Sequence, residues 1–448
     1  MSNTKHVVIL GAAHTGVAGL TTAISILDKA NRSPSSAKYS VIVLASQLPT
    51  DPKSIGYTSH WAGAHHVSHA TGTGNSPIIL VSSSIDFWRY WIARTAVDGN
   101  SDSNSSEHPE QLAIDQETFN TMWALSEPGN EAEICFLRIE QVEYYQEEIP
   151  EGKEHHLRWY PNFRILLPES LTPDLRSQGV RSGVSLSTLT IDTPVYLSYL
   201  FERLEKAGGK VIKGHVDHIR DVETQINYLL QAQGTNSIYV DAIINCTGLG
   251  ARTLGGVEDS NVYALRGQTV VLRAPWIRFG RTISSGDDLW TYIIPRRSGD
   301  VVVGGTKVAD DYHPSPRPEI TLDILTRGLK LCPEFVEVDP PIVTTTNMRF
   351  SHDESELDSE SITLDDLLEQ IKPIMVEEGC GLRPARRGGV RIERGDVEID
   401  SVDGSSGKKV HKKTVPIIHN YGHSGSGYQS SWGSSNRAVR LLEEAIAS

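Results

Sequence analysis

The stretch VPIIHNYGHSGSGYQSSWG, residues 415–433, predicts a strand, a glycine-rich loop and a helix in immediate succession. A similar unit stands near the other end of the chain. There the apolar run HVVIL (6–10), typical of a strand buried on both faces of a parallel sheet, is followed by GAAHTGVAGL (11–20). Apolar positions at helical spacing then continue over residues 16–30. Glycine loops after buried strands at both ends predict one α/β domain that is assembled from distant segments.

The middle of the chain predicts mostly strands. A helix is expected at about 193–207, and strands are expected at 39–46, near 210–213, at 241–246, 268–275, 291–297 and 300–307. The strand-rich part therefore predicts a second domain. Two segments of low complexity, 98–112 and 351–370, are polar or acidic and are expected to be solvated surface loops.

The composition is that of an ordinary globular protein with excess negative charge. Hydrophobic residues make up 38% of the 448 residues, and a chain of this length favours two domains over one. The formal net charge of −14 argues against nucleic acids and anionic membranes as partners, because no basic stripe offsets it. No apolar stretch approaches the roughly 18 residues of a membrane span.

The cysteines and the chain ends predict a cytoplasmic protein. The four cysteines are scattered without a C-x-x-C pair, which predicts buried, reduced thiols: Cys135, Cys246, Cys332 and Cys380. A strand that begins at about the sixth residue leaves no room for a signal or transit peptide. The last three residues are not a Ser-Lys-Leu type address, although peroxisomal import by another route is left open. Homodimer formation is also left open.

The first glycine loop is ambiguous by itself. Its glycines are Gly11, Gly16 and Gly19, which is not the G-x-G-x-x-G spacing of a dinucleotide loop, and Gln47 stands where an acidic residue is expected. A nucleotide loop and a purely structural turn both fit these residues. The stretch INCTGLGA (244–251) favours the nucleotide loop, because a strand followed by Thr-Gly-x-Gly recurs in flavin-dependent oxidases.

The C-terminal stretches resemble the D-amino-acid oxidase family, especially its yeast and fungal members. The resemblance rests on GLRPARRGGVRIE (381–393) and on IIHNYGHSGSGYQSSWGSS (417–435), which departs from the family signature only at Ser435, where the family has alanine. The signature positions that fit are Ile417, Ile418, His419, Asn420, Tyr421, Gly422, Ser424, Gly425, Gly427 and Gly433. The segments SHWAGAHH (59–66), LRGQTVVLRAPW (265–276) and YIIPRRSGDVVVGGT (292–306) match in the same order.

This resemblance implies an α/β fold with an interrupted Rossmann-type FAD-binding domain and a substrate domain built on a mixed sheet. The FAD-binding domain would comprise residues 1–66, 181–255 and 378–448, and the substrate domain residues 67–180 and 256–377. The implied reaction moves hydride from Cα of a D-amino acid to flavin N5, and O₂ then gives hydrogen peroxide. The cofactor carries the redox step, so no catalytic nucleophile or general base is predicted.

The resemblance also implies the site residues. Arg383 would bind the substrate carboxylate with its fork of donors, the Tyr292 hydroxyl would bind the same group, and the Gly425 carbonyl would accept from the amine. The implied FAD contacts are Gly11, Gly16, Val17, Gly19, Ala45, Ser46, Ser59, Ala62, Gly63, His65, Val216, Thr247, Gly248, Arg383, Ser424, Gly427, Tyr428 and Gln429. No metal is expected, because no cysteine or carboxylate joins the nearby histidines at 60, 65, 66 and 69.

Several departures from the family pattern bear on the substrate. Lys307 replaces a tyrosine that often follows Gly-Gly-Thr, and Arg281 precedes Thr282, a wall position that is usually apolar. Two cations near the substrate side chain would favour an acidic D-amino acid, with His66 or His69 as a further contact, and D-aspartate oxidase is one alternative. The other interpretation of both cations is a solvated loop charge. A flavin oxidase for another amine and an inactive FAD-binding protein also remain open.

Overall fold

The structure is a computed structural model that describes residues 4–11, 16–32, 38–68, 109–152, 154–284, 290–336, 364–402 and 410–447. The strands are β1 Lys5–Leu10, β2 Tyr39–Ala45, β3 Phe136–Tyr145, β4 Arg164–Ile165, β5 Ser182–Ile191, β6 Lys210–Lys213, β7 Ala242–Asn245, β8 Val262–Arg273, β9 Gly280–Ser284, β10 Trp290–Pro295, β11 Asp300–Gly304, β12 Val308–Ala309, β13 Met375–Arg386, β14 Arg391–Val402 and β15 Val410–Tyr421. The helices are α1 Val17–Arg32, α2 Pro109–Leu125, α3 Pro173–Ser177, α4 Thr193–Lys206, α5 Val222–Ala232, α6 Pro318–Leu331, α7 Leu364–Ile371 and α8 Ser431–Ala447. The strands and helices predicted from apolar periodicity are confirmed.

The two ends of the chain meet in one six-stranded sheet, in the order β14-β15-β7-β1-β2-β6. All neighbouring strands are parallel except β14 and β15, which form an antiparallel pair. Leu10 is paired with Leu44 and with Asn245, and Asn245 is paired with His419. The carboxyl ends of β1, β2, β7 and β15 therefore lie along one edge of the sheet, where α/β proteins bind ligands.

Helices cover both faces of this sheet because successive side chains of a strand point to opposite faces. Val7 and Ile9 of β1 pack with α1, α4 and α8, whereas Val8 and Leu10 pack with α5. The continuous apolar run at the N-terminus is thus buried from both sides, as a parallel strand requires.

The second sheet has nine strands in the order β12-β8-β11-β10-β9-β3-β5-β4, with β13 also paired to β8. It is antiparallel apart from the parallel pair β3 and β9, so the mixed character is confirmed. Ile293 and Val303 pack under α6, while Tyr292 and Ile294 lie on the opposite face. On that face a Cβ at Gly63 would lie 2.7 Å from Ile294 Cδ1, so the 59–68 segment packs directly on the sheet.

The domain boundaries stay a prediction. Strands β5 and β13 belong to the nine-stranded sheet, although residues 181–255 and 378–448 were assigned to the FAD-binding part. The four cysteines are buried and free, as predicted. None of the described helices combines the length and the apolar character that crossing a membrane demands.

The two predicted surface loops are partly wrong. Residues 109–112 begin helix α2, whose Ile114, Phe119 and Met122 are buried. Residues 364–370 belong to α7, and Leu368 is buried in the core of the second sheet. In α7 the acidic composition concealed an apolar face at helical spacing, whereas the buried apolar residues of α2 follow the end of the predicted loop. The remaining residues of these segments, 98–108 and 351–363, lie outside the described residues, as does His69.

Candidate active site

A cavity of about 400 Å³ lies between the carboxyl edge of the six-stranded sheet and the Tyr292 face of the nine-stranded sheet. Its walls come from the start of α1, the 56–67 segment, the turn after β7 and the loop after β15. Strands β8, β10 and β13 of the second sheet close the other side. The cavity thus combines segments that are hundreds of residues apart in the chain.

Most of the predicted site residues meet in this cavity. Its lining includes Gly16, Val17, Gly19, Ser59, Ala62, Gly63, His65, Thr247, Gly248, Tyr292, Lys307, Arg383, Ser424, Gly425, Gly427, Tyr428 and Gln429. Gly11, Ala45, Ser46, Val216 and Arg281 are outside the lining. The backbones of Gly11 and Ala45 form hydrogen bonds at the edge of the sheet: Gly11 N–H donates to the Leu44 carbonyl, and the Ala45 carbonyl accepts from Gly214 N–H. Val216 is buried in the core beneath α5.

Ser59 joins three of the cavity walls. Its hydroxyl accepts from Val17 N–H at 3.2 Å, at the first residue of α1. Its carbonyl accepts from the Tyr428 hydroxyl at 2.8 Å, in the loop before α8. A Cβ at Gly16 would lie 2.7 Å from the same Ser59 Oγ, so a larger residue would push the helix start away from this serine.

The loop after β15 places His423, a buried residue with a ring nitrogen that is unpaired within the described part of the chain, at the cavity. His423 lines the cavity and is 6% exposed, and its Nε2 has no hydrogen-bond partner among the described residues. Burial lowers the pKa of His423 to about 4, so the imidazole is neutral at physiological pH. The sequence missed this residue because it occupies the free position of the C-terminal signature.

Arg383 is held by backbone and by close packing. Its Nη1 donates to the Thr306 carbonyl at 3.0 Å. A Cβ at Gly267 would lie 2.1 Å from that nitrogen, so the strand opposite must carry glycine for the guanidinium to lie there. Gly425 borders the same side chain, since its Cβ would lie 3.6 Å from Arg383 Cδ. Arg383 and Gly425, which were both predicted to bind substrate, therefore lie next to each other in the cavity.

Tyr292 completes this group. Its hydroxyl lies over the backbone of Gly304 and Gly305, whose Cβ atoms would come within 2.3 and 2.5 Å of it. Burial raises the pKa of Tyr292, although the neighbouring Arg383 guanidinium acts in the opposite direction. The phenol therefore stays protonated and can donate a hydrogen bond to an anion beside Arg383.

The two cations predicted near the substrate side chain have different positions. Lys307 lines the cavity, with its Nζ 5.8 Å from the centroid of the Trp290 ring. Arg281 does not face the cavity: both terminal nitrogens bond the Glu334 carboxylate, at 2.9 and 2.7 Å. Its neighbour Thr282 is buried on the other face and accepts from Gln141 at 3.0 Å. The structure thus brings Lys307, and not Arg281, to the cavity.

The neighbouring histidines His65 and His66 have different surroundings. His65 lines the cavity, whereas His66 is fully buried behind it, bonded to the Tyr160 hydroxyl at 2.7 Å and to the Gln429 carbonyl at 3.1 Å. Burial lowers the pKa of His66 to about 4. His66 therefore supports the loop before α8 and does not reach the cavity. Among the described residues, no group of three or more His, Cys, Asp or Glu could hold a metal ion.

Some cavity residues could have been found from the sequence. Trp290 precedes Tyr292 by two residues, and the alternation of a strand places both on one face. Trp61 stands inside the quoted segment SHWAGAHH, and Thr306 ends the quoted segment that precedes Lys307. Each lines the cavity, and each is within two residues of one that was identified.

Similarity to known proteins agrees with this site. The family model described as "FAD dependent oxidoreductase" (DAO) matches residues 6–355. The chain belongs to the DAO family. D-aspartate oxidase of Cryptococcus neoformans var. grubii is 30% identical, over 99% of this chain and 98% of that protein. D-amino-acid oxidase of Schizosaccharomyces pombe is also 30% identical, over 98% and 96%.

Solved structures confirm the fold of this DAO family member. Glycine oxidase from Geobacillus kaustophilus aligns with a TM-score of 0.55 at 14% identity, covering 99% of this chain and 95% of that one. L-proline dehydrogenase from P. horikoshii aligns with a TM-score of 0.56 at 11% identity, covering 99% and 94%. At these identities the likeness concerns the fold alone.

The described residues fit FAD, the cofactor of the family. Gly16 leads into α1 and the first residues of this helix line the cavity, so the positive end of α1 faces the space where an anionic pyrophosphate would bind. Gly16, Gly248 and Gly427 border the cavity where side chains would reduce its volume. The unpaired His423 Nε2 offers one more polar group to a ligand there. When bound, FAD supplies the two-electron oxidation, and the protein supplies binding and orientation.

Proposed function

We propose that this protein is an FAD-dependent oxidase of D-amino acids, with O₂ as the electron acceptor and 2-oxo acid, ammonia and hydrogen peroxide as products. The observation that carries the proposal is the convergence of Arg383, Tyr292 and Gly425 on one part of the cavity. Relatives named D-amino-acid oxidase and D-aspartate oxidase, similar over almost the whole chain, support it.

The three groups suit an α-amino acid. A guanidinium fork meets both oxygens of a carboxylate, and the protonated Tyr292 donates to the same group. The carbonyl of Gly425 can accept from the substrate amine. When three groups on Cα are fixed, only one of the two enantiomers has its Cα hydrogen in the position required for transfer. These residues therefore contribute by orienting the substrate.

We propose that acidic D-amino acids are the preferred substrates, because Lys307 lies at the cavity wall. Lys307 is an exposed residue at the cavity wall, its ammonium group lies beside the Trp290 ring, and a cation there attracts a side-chain carboxylate. The alternative of an oxidase for another amine receives less support, because it gives no reason for the Arg383 and Tyr292 pair. An inactive protein receives less support for the same reason.

The proposal is tested by purifying the protein with FAD and mixing it anaerobically with D-Asp, D-Glu, D-Ala and L-Asp. We expect the visible flavin band to bleach with the D-amino acids, fastest with D-Asp, and to persist with L-Asp. Admission of O₂ should restore the band and release hydrogen peroxide. A flavin-loaded protein that no D-amino acid bleaches would refute the proposed activity, and faster bleaching by D-Ala would refute the acidic preference.

Replacing Lys307 by methionine tests the acidic preference separately. We expect kcat/KM for D-Asp to fall about threefold to fivefold, because the charge pair between an exposed lysine and the side-chain carboxylate is lost, and kcat/KM for D-Ala to change little. Lys330→Met, at an exposed lysine of α6 outside the cavity lining, is the matched control. An equal loss with both substrates would show that Lys307 does not recognise the side chain.

A further inference from the structure

A buried carboxylate lies behind the loop that connects β15 to α8. Asp115 is on α2 and only 1% of it is exposed. Helix α2 packs against α8, and the Ser430 hydroxyl, directly before α8, donates to Asp115 Oδ1 at 2.9 Å. Asp115 is outside the cavity lining, but the residue before Ser430 is Gln429, which is part of it.

Four side-chain donors surround this carboxylate. Oδ1 accepts from Gln111 Nε2 at 2.7 Å as well as from Ser430, and Oδ2 accepts from Ser68 Oγ at 2.7 Å and from Gln429 Nε2 at 3.2 Å. A carboxylate has about four acceptor positions, so all of them are used. Burial raises the pKa of Asp115, and the hydrogen bonds from these donors act in the opposite direction. The donors come from three distant segments of the chain.

The carboxylate determines how the Gln429 amide is oriented. The Gln429 amide donates through Nε2 to Asp115 Oδ2, so its nitrogen side faces the carboxyl group. Oε1 is then directed away from Asp115, and the described residues provide no donor for it. The backbone of Gln429 is fixed as well, because its carbonyl accepts from His66 Nε2 at 3.1 Å. Both ends of this residue are therefore held.

We propose that Asp115 is a positioning residue for the cofactor: it holds the Gln429 amide so that Oε1 is presented to the cavity as an acceptor for the bound FAD. This inference rests on the proposed function, since it requires the cavity to bind FAD. Asp115 touches neither substrate nor cofactor. It acts through Gln429 and through Ser430 at the start of α8.

Asp115→Asn tests the inference without a large change of volume. An asparagine turns an NH₂ group towards donors that need an acceptor, so the Gln429 amide loses its fixed orientation. We expect Kd for FAD, from fluorescence titration of the apoprotein, to rise about tenfold. Glu117→Gln is the matched control, because Glu117 is on the same helix and accepts from Asn436 of α8 at 2.7 Å, away from the loop. It should lower the melting temperature of the apoprotein and leave Kd unchanged.

Gln429→Met gives a second measurement, which stands even if Asp115→Asn fails to fold. This variant should also raise Kd for FAD, and adding Asp115→Asn to it should raise Kd much less than in the wild-type background, because coupled residues are not additive. Full additivity, or an unchanged Kd in Gln429→Met, would overturn the inference. An unchanged Kd in Asp115→Asn would overturn it while the proposed function stands. A wild-type protein that binds no FAD would refute the proposed function as well.

Discussion

Replacing Arg383 by alanine is expected to raise KM for a D-amino acid about a hundredfold. The guanidinium is fixed by the Thr306 carbonyl and lies where only glycine fits at position 267. Loss of Arg383 removes the bidentate hydrogen-bond donor for the substrate carboxylate and leaves that negative charge partly desolvated and without a cation. Tyr292 remains, but a single neutral donor does not replace a cation. Steady-state peroxide production across D-Asp concentrations gives KM and kcat.

The matched control for this variant is Arg387→Ala. Arg387 is exposed, four residues further along, and its guanidinium lies 5.1 Å from the Tyr263 ring centroid, outside the cavity lining. Its KM should stay within about twofold of the wild-type value, since exposed charges contribute little. The visible spectrum of each variant confirms that FAD is bound before KM is compared. An Arg383→Ala enzyme with unchanged KM would refute the carboxylate role of Arg383.

Local patterns predicted the elements that form the site. Buried strands such as Lys5–Leu10 and Ala242–Asn245 contain continuous apolar runs, and the glycines after them indicate where the chain turns at the sheet edge. Arg383, Tyr292 and Gly425 could be named because each stands inside a short motif. Parallel pairing then brings the ends of distant strands to one edge, so these motifs meet without any long-range signal in the sequence.

Side-chain direction explains why Arg281 was misplaced. It was grouped with Thr282 because the two are neighbours in the chain, but neighbours on a strand point to opposite faces. Thr282 is on the face of Tyr292, with which it is paired across β9 and β10. Arg281 is on the face that meets Glu334, in the short turn after α6. The alternation was available from the sequence, whereas the partner Glu334 was not.

The supporting network around Asp115 could not be predicted. Its partners Ser68 and Ser430 are 47 and 315 residues away in the chain, and no motif contains Asp115. The start of α2 was taken for a loop because the residues before it are rich in serine and asparagine. Buried polar groups owe their partners to tertiary packing, and composition carries no information about such contacts.

The contact between α2 and α8 predicts a large effect at Gly433, the last glycine of the C-terminal signature. A Cβ there would lie 2.2 Å from the Ile114 carbonyl oxygen and 2.7 Å from Ile114 Cα, both backbone atoms. Gly433 N–H also donates to Thr118 Oγ1 at 2.9 Å, so this hydrogen bond holds the two helices together at the point of close contact. In a free helix alanine is favoured over glycine by about 1 kcal/mol. Here the overlap outweighs this preference, because the overlapping atoms belong to the backbone of α2 and no side chain can rotate to relieve it.

Gly433→Ala is therefore expected to destabilise the apoprotein by about 2–3 kcal/mol and to lower its melting temperature by several degrees. Separation of α2 from α8 also pulls Asp115 from Ser430, so Kd for FAD should rise in the same variant. Gly395→Ala is the control, since a Cβ there would meet only Ile417 Cγ2, at an ordinary 3.5 Å. Thermal denaturation of the three apoproteins measures the difference. If Gly433→Ala melts at or above the wild-type temperature, helix propensity dominates and the close contact of α2 with α8 does not restrict this position.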